Sequence, residues 1–315
     1  MENRTVNVLF LGGAKRVSFA QKLIAAGREI GVDVNIFSYE LALETPIAGI
    51  GKVIVGMKWD NPRILENLHS VVKHNDIHII LPFVDPAIGI AGRYARKYPG
   101  IFVPVVAPEL AEQLFDKALA AQLFKEKGLP IPATYTGGRP RFPLIAKPRH
   151  GSASRGIIVI NDVPEFRRVL KMPDYMMESY VAQRKEFTVD AYVTAAGDVI
   201  CVSPRLRVEV LGGEVIKTVT MDVPDVCDLA RVSIGALGLR GPVTLQFLRD
   251  THTDELMLME VNPRLGGGVI CSIYAGANIA RMILEESLGR PVAPVDEVRP
   301  GVLICRYFAE TVFNA

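Results

Sequence analysis

The chain has 315 residues, of which 49% are hydrophobic and 22% are charged, a composition that suits two or three well-buried domains. Lysine and arginine together number 36 against 34 acidic residues, for a formal net charge of +2. A balance so close to neutral gives no reason to expect a nucleic acid or an acidic membrane surface as a partner.

The cysteines and the first residues indicate the compartment. The four cysteines have neither CxxC nor zinc-ligand spacing, so they predict reduced thiols rather than a disulfide framework or a zinc site. The N-terminal residues lead into an alternating strand instead of a secretory sequence, and the longest uncharged run, 265–280, is rich in glycine and too short to cross a bilayer. We therefore expect a cytoplasmic protein.

Residues 1–105 predict a Rossmann-like parallel sheet. Short apolar runs at 6–11, 34–39 and 77–82 have the length of buried strands, and residues 62–74 between the last two have helical spacing. Strands that alternate with helices are typical of a parallel sheet covered on both faces. The fold class expected from this part is α/β.

The glycines after the first strand invite a comparison with dinucleotide-binding proteins. A nicotinamide or flavin site would place Gly12 and Gly13 against the pyrophosphate and Glu40 on the ribose. The run from Gly12 to Val17, GGAKRV, is however not GxGxxG. We therefore do not expect a dinucleotide here.

Residues 106–182 predict a helix at 108–128, a strand at 142–148 and a loop that could cover a phosphate. The loop, 149–156, consists mainly of small residues between two arginines, although a solvated hairpin would have a similar composition. It lacks the GxxxxGK[ST] pattern, so it is not a Walker-type loop.

The C-terminal part predicts a hairpin that carries polar side chains on one face. Strands at 243–248 and 256–261 joined by a turn near residue 253 would place Gln246 opposite Glu260. The other face would then be apolar, and it would hold Leu245, Phe247, Met257, Met259 and Val261.

The end of this hairpin has the composition of a metal and phosphate site. Glu260 and Asn262 share one face of an extended strand, and Arg264 can follow them if Pro263 only bends the strand end. Carboxylate and amide oxygens suit a divalent cation, and a guanidinium group suits phosphoryl or carboxylate oxygens. The glycines 266–268 would let the backbone approach a phosphoryl group before a helix at 270–288. A strand end with a solvated arginine is the structural alternative.

Five motifs occur in the order in which ATP-grasp proteins have them. They are Asp116-Lys117, Ile145-Ala146-Lys147-Pro148 with its glycine-serine loop, Glu178-Ser179-Tyr180-Val181 followed by Glu186, the strand of Gln246, and Glu260-Val261-Asn262-Pro263-Arg264. The chain therefore resembles the ATP-grasp superfamily, closest to carbamoyl-phosphate synthase large subunits and amino-acid ligases. The resemblance implies a pre-ATP-grasp domain at 1–105, then two α+β subdomains that grip ATP, at 106–182 with a phosphate lid at 149–156, and at 183–315.

The resemblance also implies a role for individual residues. Arg264, Lys147 and Arg155 would be catalytic, and Glu260 and Asn262 would hold magnesium, or manganese in its place, with Gln246 standing where the family has an acid or in some members a glutamine. The residues implied at ATP are Lys117, Lys147, Ser152, Glu178, Ser179, Val181, Glu186 and, with a weaker match, Lys217. A neutral Gln246 leaves one fewer anionic ligand for the metal.

The implied reaction is an ATP- and magnesium-dependent ligation. A small carboxylate would be activated as an acyl phosphate and joined to an amine or a similar nucleophile. The alternatives are a phosphotransfer enzyme of the carboxy-phosphate or carbamoyl-phosphate type, and a regulatory protein that binds ATP. We expect the substrate near Asp85, Arg205, Arg207 and Gly267, although Asp85 could instead cap a helix and the arginines could lie on a solvated strand. A homodimer or a partner subunit could complete the site.

Overall fold

The first part of the chain is a four-stranded parallel sheet between helices, as predicted. The computed structural model describes residues 4–151 and 155–313. In chain order the elements are β1 (Arg4–Leu11), α1 (Val17–Glu29), β2 (Val32–Glu40), β3 (Lys52–Val55), α2 (Ile64–His74), β4 (Ile79–Pro82) and α3 (Asp85–Lys97), with a short 3-10 helix at Pro46–Gly49. The strand order is β3-β2-β1-β4.

Alternation along β1 explains why helices cover both faces of this sheet. Val8 and Phe10 are fully buried against α1, whereas Leu9 and Leu11 are fully buried against α2 and α3. A strand buried on both faces reads as a continuous apolar run, which is how the sequence predicted it.

The predicted helix at 108–128 is two helices, α4 (Pro108–Phe115) and α5 (Lys117–Glu126). Asp116 separates them in an extended conformation, with φ of −89° and ψ of 110°. Its carboxylate accepts hydrogen bonds from the N–H groups of Ala118 (2.9 Å) and Leu119 (3.3 Å). Asp116 thus ends α4 and caps α5, which is a preferred role of aspartate.

A small antiparallel sheet follows. It consists of β5 (Leu144–Pro148), β6 (Ile158–Ile160) and β7 (Tyr175–Ser179) in the order β6-β5-β7, with α6 (Val163–Val169) packed on one face through Phe166 and Val169. Lys147 and the segment after it therefore lie at the open end of the central strand.

The C-terminal part is a six-stranded antiparallel sheet in the order β12-β11-β8-β9-β10-β13. Its elements in chain order are β8 (Arg184–Val193), β9 (Val199–Leu211), β10 (Glu214–Thr220), α7 (Pro224–Leu237), β11 (Gly241–Asp250), β12 (Leu256–Asn262), α8 (Val269–Tyr274), α9 (Ile279–Ser287) and β13 (Leu303–Cys305). Helix α7 covers one face, and α9 contacts α1 of the first part. One hydrophobic core therefore joins the first and last parts of the chain.

The predicted pairing of Gln246 with Glu260 is confirmed, but the apolar face is partly wrong. A bulge after Gln246 places Leu258 opposite Phe247, and both side chains are fully buried. The extra residue on β12 reverses the alternation, so Leu258 packs in the core instead of Met257 and Met259, which are only partly buried. The bulge therefore lies directly beside the predicted metal face.

The predicted helix at 270–288 is also divided. Between α8 and α9 the backbone of Gly276 has a φ of +112°, which interrupts the helix. Within the described residues, the helices are all too short or too polar to cross a membrane.

A buried ion pair joins three strands to α8. The Nε atom of Arg205 donates to Oδ2 of Asp190 (2.8 Å), and the hydroxyl groups of Ser272 (2.8 Å) and Thr244 (3.3 Å) donate to the same carboxylate. Asp190 is 1% exposed and Arg205 is 2% exposed. Buried charges with this many partners hold their elements in one arrangement, here β8, β9, β11 and α8.

We predict that Asp190→Ala lowers the free energy of unfolding by about 3–5 kcal/mol, because it leaves the buried guanidinium of Arg205 without a carboxylate. The measurement is denaturant unfolding followed by circular dichroism. The double variant Asp190→Ala/Arg205→Met removes both charges and is expected to recover much of the loss. Equal stability of the single and double variants would show that the pair does not act in this way.

Candidate active site

A cavity of about 660 Å³ lies between the small sheet and the six-stranded sheet, and the loop after β1 also reaches it. It brings together residues that the sequence analysis took from all parts of the chain. The predicted site residues that line it are Asp85, Lys117, Lys147, Arg155, Glu178, Ser179, Val181, Glu186, Arg205, Arg207, Gln246, Glu260, Asn262, Arg264 and Gly267.

Two lysines face the cavity from the side of the small sheet. Lys147 at the end of β5 forms an ion pair with Glu178 of the neighbouring β7, and the two side chains are 12% and 10% exposed. Lys117, the first residue of α5, donates through Nζ to the carbonyl oxygen of Gly151 (2.7 Å). Two ammonium groups on separate elements thus line the same cavity, and ammonium groups donate charge-assisted hydrogen bonds to phosphate oxygens.

Asp116 anchors the beginning of the predicted lid. Arg149 Nε donates to both carboxylate oxygens of Asp116 at 3.1 Å, and Lys117 N–H donates to the Arg149 carbonyl (2.9 Å). Burial raises the pKa of Asp116, but the hydrogen bonds from Arg149 and from the backbone outweigh it, and the net shift is downward. The sequence analysis used Asp116 only as part of a motif. Ser152, predicted in the lid, lies outside the described residues.

Among the described residues, one backbone donor of the predicted adenine hinge has no protein acceptor. The N–H of Ser179 donates to the Ala133 carbonyl (2.9 Å), and that of Tyr180 donates to the Pro143 carbonyl (3.1 Å). Within residues 4–151 and 155–313, the N–H of Val181 has no such partner. Of the three, Val181 is therefore the residue whose amide suits an acceptor on a base edge.

A second wall of the cavity is the end of β12. Asn262 Nδ2 donates to Glu260 Oε1 (3.0 Å), and Arg264 Nη2 donates to Asn262 Oδ1 (3.3 Å). Arg264 Nε also donates to Asp85 Oδ1 (2.6 Å) in the first part of the chain. The predicted carboxylate, amide and guanidinium thus form one connected group along the strand end.

Asp85 faces the cavity and does not act as the helix cap. Asp85 is the first residue of α3, so the N-cap position before it is occupied by Val84, which makes no side-chain capping hydrogen bond. The carboxylate instead pairs with Arg264, and both side chains are less than one-fifth exposed. This ion pair joins the parallel sheet to the metal-face strand.

Three oxygen-bearing side chains of the cavity fit a magnesium ion that binds together with phosphates. Gln246 lies opposite Glu260 in the β11–β12 pair, so Glu260, Asn262 and Gln246 offer one carboxylate and two amide oxygens. Gln246 Oε1 already accepts from Arg207 Nη1 (3.1 Å). In the part of the chain that the structure describes, no cluster of three or more His, Cys, Asp or Glu side chains could hold a metal unaided. Magnesium is usually held by one or two carboxylates together with substrate phosphates.

Arg207 and Glu186 form the polar end of the cavity. Arg184 Nε donates to Glu186 Oε1 (2.9 Å), whereas Arg207 Nε is 3.8 Å from Glu186 Oε2. Arg207 Nε is buried and has no hydrogen-bond partner among the described residues. Burial also lowers the pKa of Arg207. An unsatisfied buried donor is rare in proteins, and this one lies at ion-pair distance from the Glu186 carboxylate.

The structure places two predicted residues away from their expected ligand contacts. Arg205 lines the cavity, but its guanidinium is buried and neutralised by Asp190, so a free charge for a substrate carboxylate is not available there. Lys217 does not line the cavity, whereas Val215 does. Regular alternation would put Val215 and Lys217 on one face, but the register shift between them inserts Ile216 and ends that alternation.

The glycines 266–268 lie against protein side chains rather than against open space. A Cβ atom at Gly268 would lie 2.6 Å from Cζ of Arg205, and one at Gly266 would lie 3.0 Å from Oγ1 of Thr244. These glycines therefore let the backbone lie directly on the Asp190–Arg205 pair.

Two further arginines, which no sequence motif predicted, line the cavity. Arg16 stands just before α1, and Arg306 follows β13. A Cβ atom at Gly267 would lie 3.2 Å from Nη1 of Arg16 and 3.5 Å from Nη1 of Arg306. In the sequence, Arg16 is marked only by its place in the run from Gly12 to Val17, which does not match the dinucleotide-binding motif.

That loop is closed by Glu40. Gly12 has a φ of +71°, and Glu40 accepts from Ser38 Oγ (2.6 Å) while the backbone N–H groups of Gly13 and Ala14 face its carboxylate. Burial raises the pKa of Glu40 in spite of these hydrogen bonds. The carboxylate of Glu40 therefore lies beside the loop amides that a pyrophosphate would need.

Residues 171–307 match a protein-family model described as "ATP-grasp in the biosynthetic pathway with Ter operon". Over 267 residues the chain is 21% identical to the C-terminal section of the carbamoyl phosphate synthase large chain of Methanopyrus kandleri, covering 74% of this chain and 48% of that protein. Over 118 residues it is 31% identical to a D-alanine–D-alanine ligase of Alcanivorax borkumensis, covering 35% of this chain and 33% of the ligase. The chain thus spans half or less of these curated relatives.

The fold resembles the solved structure of a carboxylase domain over nearly its whole length. The biotin carboxylase domain of Hydrogenobacter thermophilus 2-oxoglutarate carboxylase, a dimer in complex with MgADP, ADP and bicarbonate, has a TM-score of 0.74. The two chains are 17% identical, and the match covers 94% of this chain and 73% of the carboxylase domain. At this level of identity the likeness shows the fold.

Proposed function

We propose that this chain, a member of the ATP-grasp superfamily, is an ATP- and magnesium-dependent ligase that activates a small carboxylate and couples it to an amine or a similar nucleophile. The observation that carries the proposal is the single cavity in which Lys117 and Lys147 share walls with Glu260, Asn262 and Arg264. Cations for phosphates, oxygen ligands for a metal and a guanidinium group are the parts that phosphoryl transfer requires.

The nucleotide would lie between the two sheets. Its base edge would accept from the N–H of Val181, and its ribose hydroxyl groups would donate to Glu186. Lys117 and Lys147 would donate to the phosphates, and the segment 149–156 with Arg155 would cover them. For Lys147 this contact would replace the ion pair with Glu178, so the binding of phosphates is an exchange of partners.

The first chemical step would be attack by a carboxylate oxygen on the γ-phosphorus. That O–P bond forms as the bond from the γ-phosphorus to the β,γ-bridging oxygen breaks, which gives an acyl phosphate and ADP. Arg264 would donate to the transferring phosphoryl group, and Glu260 and Asn262 would hold the magnesium ion that offsets its charge. An amine would then attack the acyl carbon, lose a proton and expel phosphate.

Bicarbonate is the second candidate acid, because relatives and fold neighbours include a carbamoyl phosphate synthase and a carboxylase. The test is ADP release across amino acids, small carboxylates and bicarbonate, each with and without amine acceptors. Hydroxylamine traps an acyl phosphate as a hydroxamate but does not react with a phosphate ester. Acid-stimulated ADP release with hydroxamate formation supports the ligase. Nucleotide binding without stimulation by any acid would favour a regulatory protein instead.

We predict that Lys147→Ala weakens ATP binding at least about tenfold, because charge-assisted hydrogen bonds contribute about 1.5–3 kcal/mol each. Isothermal titration calorimetry with MgATP gives the dissociation constants. Lys125→Ala is the matched control, since Lys125 is exposed on α5 and lies outside the cavity lining, and it is expected to bind as the parent chain does. Equal effects of the two substitutions would refute the assignment of Lys147 to the phosphates.

We predict that Glu260→Gln raises the magnesium concentration needed for half-maximal ADP release by about tenfold or more, because it removes a charged oxygen ligand. A magnesium titration at saturating ATP measures this shift. Glu255→Gln on the same hairpin is exposed and serves as the control. An unchanged titration for Glu260→Gln would show that Glu260 does not hold the metal.

A further inference from the structure

Three arginines and two carboxylates meet at one end of the cavity. Arg264 pairs with Asp85 (2.6 Å), and Arg306 pairs with Glu214 (3.1 Å). Both carboxylates are also near Arg16, but each already has an arginine partner. Among the described residues Arg16 makes no ion pair and no side-chain hydrogen bond, so this end of the cavity has an excess of one positive charge.

The surroundings of Arg16 are not those of a solvated side chain. It is half-buried, and its guanidinium lies 5.6 Å from the centre of the Phe83 ring, which also lines the cavity. Burial, followed by the nearby positive charge of Arg264, lowers the pKa of Arg16 to about 10. Arg16 is therefore still charged at neutral pH, and a partly desolvated cation without a counter-charge is costly unless an anion binds to it.

Gly267 keeps the space between two of these arginines open. Nη1 of Arg16 and Nη1 of Arg306 both lie within 3.5 Å of the point where a side chain at residue 267 would begin. Both therefore lie close to the same small volume beside the Gly267 backbone. Nη1 of Arg306 already donates to Glu214 Oε2 and to the Val215 carbonyl, both at 3.1 Å. An oxyanion in this volume could therefore accept charge-assisted hydrogen bonds from Arg16 and from the other N–H groups of Arg306.

We propose that Arg16 and Arg306, on either side of Gly267, form a subsite for an anionic group of the substrate that is not the carboxylate to be phosphorylated. The substrate acid would then carry at least two acidic groups, the second being a carboxylate or a phosphate. The inference rests on the proposed function, because it assigns Arg264 and the metal face to the reacting group and leaves Arg16 for a different one.

The loop that carries Arg16 supports this assignment. The N–H of Arg16 donates to the Gly13 carbonyl (2.7 Å), and a Cβ atom at Gly12 would lie 2.7 Å from Cγ2 of Val84. The loop is thus fixed against the strand end that leads to Asp85. Arg16 is presented from a rigid position, as a residue that selects a substrate requires.

The test is calorimetric titration of the full chain with methyl phosphate and with acetate, in the presence and in the absence of the non-hydrolysable analogue MgAMP-PNP. Filling the nucleotide site keeps the probes from the γ-phosphate position. We expect at least one probe to bind, and Arg16→Gln and Arg306→Gln each to weaken it about tenfold, the value of one charge-assisted hydrogen bond. The probe that binds more tightly identifies the second acidic group as a phosphate or a carboxylate.

Two control variants separate charge from structure. Lys15→Gln alters an exposed cation next to Arg16, and it is expected to leave probe binding unchanged. Arg16→Lys keeps the charge and is expected to restore part of the affinity. If neither probe binds, or if Arg16→Gln binds the probes as the parent chain does, the subsite is refuted.

The outcome for the subsite can be distinguished from that for the nucleotide site. Normal MgAMP-PNP binding with no effect of Arg16 on the probes would refute the subsite alone. If the parent chain does not bind MgAMP-PNP, the proposed function is refuted. The titrations without nucleotide would then still decide whether Arg16 and Arg306 bind an anion.

Discussion

The buried pair of Asp190 and Arg205 determines where the cavity floor lies. It joins β8 to β9, and the hydroxyl groups of Thr244 and Ser272 attach β11 and α8 to the same carboxylate. The backbone of residues 266–268 can lie on this pair only because these residues have no side chains. A Cβ atom at Gly268 would collide with the guanidinium of Arg205. The backbone after Arg264 is therefore held directly on a charged pair, and the position of Gly267 follows from it.

The ion pairs of the cavity link parts of the chain that are far apart in sequence. Arg264 reaches Asp85 in the first part, Arg306 reaches Glu214 on β10, and Lys147 reaches Glu178 across the small sheet. Because these charges balance one another, the cavity can hold many cations without a large self-repulsion. A ligand phosphate must compete with a protein carboxylate for Lys147. Arg16, in contrast, offers an anion a cation that has no competing partner among the described residues.

The sequence predicted those features of the site that depend on local pattern. The pairing of Gln246 with Glu260 follows from a turn and a buried face, and the order of the motifs placed Lys117, Lys147 and Arg264 in one cavity. The bulges in β10 and β12 have no such signal, and they account for the places of Lys217 outside the cavity lining and of Met259 outside the core. Arg16 could not be predicted either, because its role depends on packing against Gly267, which no local pattern records.

The neutral residue at position 246 is explained by its neighbour. Arg207 donates to the amide oxygen of Gln246, and its Nε atom lies 3.8 Å from Glu186. The Arg207 guanidinium therefore lies between Gln246 and Glu186. A carboxylate at 246 would attract Arg207 more strongly and would withdraw it from Glu186. With a glutamine, Arg207 is shared between both ends, and the protein contributes less negative charge to a divalent ion. A magnesium ion bound here, as proposed, would depend on the nucleotide phosphates to complete its ligand set.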